Sequence, residues 1–213
     1  MLHASICEMK KLLEASVRGT FDLATFKSFD DQFDAYNYAR DNLKALGKGS
    51  GRVAYAYSSG KALKIAMNEQ GFRQNEVEVS VYSQPKTRDI VAKIYEHDPG
   101  MMWVLVELVR PINSEEEFMD YVSAEGFSGT VADAPDIYGM NAVVGDIVDN
   151  EYEGALAGRV DPVFAYMLRT VVVENDLEVS DIVTKRSWGK TSDGRLVLLD
   201  YGFDRANART HYT

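Results

Sequence analysis

Apolar residues recur at steps of three and four through Ile6, Met9, Leu13 and Val17, so the spacing predicts a helix from about His3 to Val17, with Gly19 as its stop. A second helix is predicted from near Ser28. Its seam is Phe29, Phe33, Tyr36, Ala39, Leu43 and Leu46, and Asp31, Asp34, Arg40 and Lys44 lie mostly elsewhere. The pattern then changes. Gly47-Lys48-Gly49-Ser50-Gly51 leads into the β-type run Arg52-Val53-Ala54-Tyr55-Ala56-Tyr57, and Ser58-Ser59-Gly60-Lys61 turns the chain into Ala62-Leu63-Lys64-Ile65-Ala66. An antiparallel hairpin follows from that arrangement. From Glu69 to Tyr82 the spacing of Val77, Val81 and Tyr82 predicts a helix, although Val77 and Val79 also suit a strand.

Two more apolar runs, Ile90 to Tyr95 and Met101 to Leu108, flank the turn residues Asp98-Pro99-Gly100 and predict a second hairpin. Ser114 and Glu117 stand at capping-box spacing, ahead of Phe118, Tyr121 and Val122 on one helix face. Between Gly126 and Gly158 little periodicity is sustained, and no element is placed there. Asp161-Pro162 reads as an N-cap with proline in the first turn, opening a helix whose buried stripe is Phe164, Met167, Leu168, Val171 and Val172. Asp193-Gly194 joins Trp188-Gly189-Lys190 to Arg195-Leu196-Val197-Leu198-Leu199, a hairpin with Asp200 at its tip.

A chain of 213 residues that is 46% hydrophobic can bury a core as one domain or two small lobes, which excludes a disordered protein. Its formal net charge of −10 repels phosphate backbones and argues against non-specific nucleic-acid binding. The acidic runs Phe29 to Asp34 and Asp146 to Glu151 admit a nucleic-acid mimic, but they read more simply as solvated faces. A single cysteine, Cys7, excludes an internal disulfide and a multi-cysteine metal cluster. His3, His97 and His211 form no metal motif. Met1-Leu2-His3-Ala4 lacks a basic leader, and no apolar run approaches the ~20 residues that span a bilayer, so a cytoplasmic protein with no membrane partner is expected.

Three features carry candidate chemistry. Gly47, Gly49 and Gly51 can bring backbone N–H groups close to phosphate oxygens because no Cβ intervenes, or can serve only as a flexible turn. Lys64 lies in the middle of an apolar strand, where an ammonium group calls for an anionic partner such as Glu78 or a bound phosphate; an outward-facing lysine is the simpler reading. Asp200 ends a run of apolar residues, either as a magnesium ligand or as a strand-terminating aspartate.

The order of these pieces resembles the protein-kinase-like fold, in particular the small kinase-like proteins encoded by tailed bacteriophages. The succession is Gly47-Lys48-Gly49-Ser50-Gly51-Arg52-Val53, Ala62-Leu63-Lys64-Ile65, Gln74-Asn75-Glu76-Val77-Glu78, Trp103-Val104-Leu105-Val106-Glu107-Leu108 and Asp200-Tyr201-Gly202-Phe203, covering about residues 46 to 204. The resemblance implies an α+β, two-lobed kinase-like fold with a crevice between the lobes. Residues 1–45 would be an N-terminal helical extension. Residues 46–108 would form an N-lobe of antiparallel sheet with one helix, and residues 109–213 a truncated, mainly helical C-lobe. It also implies ATP and magnesium as cofactors. Gly47, Gly49 and Gly51 would cover the phosphates, Lys64 would hold them and Glu78 would orient Lys64. Glu107 and Val109 would flank the adenine through backbone groups, with Val106 as gatekeeper, and Asp200 would hold magnesium.

The chain departs from that pattern in several places. Arg52 replaces the third loop glycine, and no His-Arg-Asp is present. Asp181, in Val179-Ser180-Asp181-Ile182, is left as the one plausible base, or as a helix-end surface residue. Ser187 stands before Trp188-Gly189 where a metal-binding asparagine is expected. Only 13 residues follow Asp200, so no activation segment is expected. These departures favour a pseudokinase that inhibits or redirects a host protein with a basic surface. A minimal ATP- and magnesium-dependent phosphotransferase using Lys64, Asp181 and Asp200 is the alternative, and the acidic mimic is a third reading.

Overall fold

Helix caps and tight turns set most of the element boundaries in the computed structural model, which describes residues 21–123, 139–149, 159–202 and 204. The helix expected from His3 to Val17 lies outside them. The chain forms two compact units, one of residues 1–76 and 94–108, the other of 77–93 and 109–213. The break after Leu108 falls where it is expected, whereas no unit ends at residue 45 and residues 77–93 go with the second unit. Phe26, Ala35 and Ala39, from the expected extension, are part of the first unit's core, whereas Val81, Ile90 and Val91 belong to the core of the second.

In the first unit Asp22 accepts a hydrogen bond from the Thr25 amide at 2.8 Å and starts α1, Leu23–Lys27. Asp31 accepts from the Phe33 amide at 2.7 Å and the Asp34 amide at 3.2 Å, capping α2, Gln32–Asn42. The expected seam through Phe33 and Leu46 is corrected here. Phe33 is 70% exposed and Leu46 46%, and the buried positions are Ala35, Ala39 and Leu43. The physical reason is sheet pairing. Leu43 turns extended, and Lys44–Lys48 becomes β1 because it can satisfy the edge of β2, Arg52–Ser58, in an antiparallel ladder. β3, Lys61–Ala66, completes the expected hairpin.

β4, Ile94–His97, and β5, Trp103–Glu107, form the second hairpin, and the five strands lie in the order β1-β2-β3-β5-β4. Its turn is closed by the Asp98 carboxylate, which accepts from the Met102 amide at 3.1 Å, while Met101 adopts a left-handed φ of 61°. The first strand begins at Ile94, not at Ile90 as the apolar run suggests. One sheet face carries Val53, Tyr55, Leu63, Ile65, Trp103 and Leu105, and it is closed by Phe26 of α1 and by Ala35 and Ala39 of α2.

The second unit is built around Trp188. Its ring packs edge-on against Phe118 at 5.0 Å between centroids and lies 5.9 Å from Phe164. Glu69–Ser83 forms α3, as the spacing predicts, and its residues from Val77 onward belong to this unit. A short sheet joins β6, Arg110–Pro111, to β7, Trp188–Lys190, and β8, Leu196–Leu198. Val91 pairs with Leu198 in parallel, with the Ala92 amide donating to the Leu198 carbonyl at 2.9 Å, which explains why Ile90 to Ala92 stay out of the second hairpin.

Ser114 and Asp161 cap α4, Glu115–Val122, and α6, Pro162–Glu174, as expected. Between them α5, Gly139–Asp149, occupies part of the stretch left without elements, and Met140, Val143, Val144 and Ile147 are its fully buried face. The mixed α+β class is therefore observed. Among the described residues no helix is long and apolar enough to cross a membrane.

Glu117 on α4 is held by the Arg110 guanidinium, by Lys190 at 3.4 Å and by the Asn113 amide at 2.9 Å. These donors, Arg110 first, hold its carboxyl down to about 2 from an ordinary 4.5. A lowered folded-state value stabilises the fold above pH 4.5, and that contribution is lost as pH falls toward 2. Glu117→Gln is expected to reduce stability at neutral pH and to flatten acid unfolding over that window, measured by urea titration at stepped pH. An acid dependence identical to that of the native chain would refute the assignment.

Candidate functional site

Strand alternation places Lys64 on the sheet face opposite the apolar core. Its cross-strand neighbours are Ala54 on β2 and Val104 on β5, with His97 of β4 beyond Val104; the next rung on the same face is Lys44, Ala56, Ala62, Val106 and Ile94. Lys64 is half-buried, with alanine and valine as its direct neighbours on the two flanking strands. Small apolar neighbours make that face a poor home for a cation without an anion. Sequence reasoning missed Ala54, Ala56, Ala62 and Val104. The available signal was the alternation in β2, where Val53, Tyr55 and Tyr57 are large and Ala54 and Ala56 small.

The glycine-rich turn joins β1 to β2, and its three glycines differ. A Cβ at Gly47 would meet nothing within 4 Å, and at Gly49 only the Arg52 carbonyl at 3.9 Å. At Gly51 it would lie 2.7 Å from the Gln74 amide oxygen and 2.9 Å from the Gly71 nitrogen. Gly51 is therefore required by packing against the first turn of α3, while Gly47 and Gly49 keep the open backbone that a phosphate contact needs. Arg52, in place of a third glycine, is buried and donates to Asn75 Oδ1 at 3.2 Å; Asn75 Nδ2 in turn donates to the Met101 carbonyl at 2.7 Å. The arginine that departs from the kinase pattern is thus part of a buried polar chain within the first unit.

Val106 is buried in β5, and Glu107 closes that strand opposite Lys61. Leu108 donates to the Gly60 carbonyl at 2.9 Å, so the alternation of the ladder turns the Glu107 backbone groups away from β3. Val109 belongs to the second unit, where it packs with Ala92 and Val197. Glu78, on the part of α3 that belongs to the second unit, is fully buried, a depth a carboxylate tolerates only where donors meet it.

Asp181, Ser187 and Asp200 are brought together in the second unit. Asp181 lies on α7, Val179–Ile182, and its carbonyl accepts from the Ser187 hydroxyl at 2.5 Å and the Thr184 hydroxyl at 3.3 Å. Trp188 Nε1 donates to the next-door Ile182 carbonyl at 2.8 Å. Leu199 donates its amide to the Ser187 carbonyl at 2.8 Å, which sets the exposed Asp200 one residue beyond that bond. Tyr201, buried, anchors the following residue through its hydroxyl to the Ala92 carbonyl at 3.3 Å.

Ser187 directs its proton inward and offers an outside ligand no more than a neutral lone pair. Asp200 supplies a carboxylate of the kind magnesium takes alongside substrate phosphates. Among the described residues no group of three or more His, Cys, Asp or Glu side chains is placed to hold a metal by itself. No protein-family model matches the chain, and no curated protein matches it.

Proposed function

We propose that the protein is a nucleotide-binding module of protein-kinase-like design, working by binding rather than by phosphoryl transfer. The observation that supports this reading is Lys64 on the third strand, beside Ala54 and Val104, in a hairpin whose first strand is entered through a glycine-rich turn. Protein kinases keep their phosphate-binding lysine on the third strand, behind a glycine-rich loop. ATP, with magnesium taken by Asp200, is the expected ligand.

Binding is favoured over catalysis by the loop around Asp181. No His-Arg-Asp precedes it, and the hydroxyl standing where a metal-binding asparagine is expected points inward to the Asp181 carbonyl. The partner is proposed to be a host protein presenting basic residues, complementary to a net charge of −10.

Calorimetric titration with ATP, with and without magnesium, tests the reading. The native chain is expected to bind saturably, and Lys64→Met to bind at least about tenfold more weakly, a loss of ~1.4 kcal/mol. Absence of binding by the native chain at millimolar ATP would overturn it. Equal affinity of the two proteins would remove Lys64 from the site.

A further inference from the structure

Two neighbouring carbonyls of the glycine-rich turn are held by the residues that lead into α3. Asn68 precedes the helix, and its side chain works in both directions: Oδ1 accepts from the Gly71 amide at 3.1 Å as an N-cap, and Nδ2 donates to the Ser50 carbonyl at 3.0 Å. The Gly51 carbonyl accepts from the Met67 amide at 2.7 Å. Behind these bonds the backbones of Gly51 and Gly71 meet without side chains, since a Cβ on Gly71 would lie 2.1 Å from the Gly51 carbonyl oxygen. Arg52, the next residue, is tied to the same helix through Asn75.

We propose that Asn68 and Gly71 are positioning residues that latch the glycine-rich turn to the start of α3 and so preset it for the polyphosphate of a nucleotide. This inference rests on the nucleotide reading and adds the element that fixes its phosphate contact. In a trans peptide the N–H points opposite the C=O. Carbonyls of Ser50 and Gly51 drawn toward Asn68 and Met67 therefore turn the following amides, of Gly51 and Arg52, the other way. A turn held in that state has little ordering left to do when an anion arrives, which raises affinity for the phosphates specifically. Asparagine suits the role because one planar group supplies both the cap acceptor and the latch donor.

The test separates capping from latching. Asn68→Ser retains an N-cap oxygen and is too short to reach the Ser50 carbonyl; Asn68→Thr, a second capping residue, carries the same measurement if the serine variant folds poorly. ATP and adenosine affinities are measured by calorimetry on the full chain. The variant is expected to lose about tenfold in ATP affinity and to keep its adenosine affinity. In the absence of nucleotide it is expected to exchange the Gly49 amide hydrogen faster, because that amide's bond to the Arg52 carbonyl at 2.8 Å depends on the held turn. A native chain that binds ATP, beside a variant with the same ATP-to-adenosine ratio, overturns the latch and leaves the nucleotide reading standing. A native chain that binds neither ligand overturns both.

Discussion

Gly71→Ala is expected to destabilise the first unit by about 1–3 kcal/mol, the usual cost of forcing an atom into a filled interior. Two effects of opposite sign compete. Alanine in a helix is intrinsically better than glycine by about 1 kcal/mol, so on α3 alone the substitution would stabilise. Against that, the new Cβ would stand 2.1 Å from the Gly51 carbonyl oxygen and 2.9 Å from the Ala66 Cα. Both are backbone atoms and cannot swing aside as the end of a side chain would. Relief requires the turn to move off the helix, which sacrifices the Met67–Gly51 and Asn68–Ser50 hydrogen bonds. The clash is expected to win. The chain has two tryptophans, and Trp103 lies in the first unit and Trp188 in the second, so urea unfolding followed in a Trp188→Phe background reads the first unit alone. A midpoint equal to or above that of the parent would show that the turn yields at no cost.

Trp188→Ala is expected to be the most damaging single change in the second unit, costing about 3–5 kcal/mol. The ring is fully buried against Phe118 and Phe164, so truncation opens a cavity at the centre of that core. It also removes the indole N–H that donates to the Ile182 carbonyl, one residue from Asp181. Trp188→Phe keeps most of the volume and loses that bond, so it separates the two contributions. Phenylalanine is expected to cost about 1–3 kcal/mol, from an unpaired buried carbonyl and a smaller ring. Thermal or urea unfolding by circular dichroism checks both, and a loss below about 1 kcal/mol for alanine would show that the core closes around the gap.

The candidate site was legible where it depends on local pattern. Lys64 stands out in Ala62-Leu63-Lys64-Ile65-Ala66 because an ammonium interrupts an apolar run. The large-and-small alternation of β2 already implies two unlike faces, although it takes the pairing of β2, β3 and β5 to place Ala54, Lys64 and Val104 in one row. Asn68 could have been read as an N-cap, being an asparagine before a helical run. Its second bond, to Ser50, could not, because nothing local relates residues 18 apart. The helix over Gly139–Asp149 had its signal in Met140, Val143, Val144, Ile147 and Val148, but Gly139 and Gly145 masked the period.

By itself the sequence determined the elements whose boundaries are local events: the hairpin turning at Gly60, the capped starts at Ser114 and Asp161, α3, and the Trp188–Leu198 hairpin. Each follows from caps, turns or side-chain period, interactions that reach no further than a few residues. Tertiary structure decided what required a distant partner. The chain from Lys44 became strand because the edge of β2 was there to pair with it, and Ile90 to Ala92 left one hairpin to pair with β8. Gly51 and Gly71 proved to be one contact between two backbones, a relation that no periodicity within either segment carries.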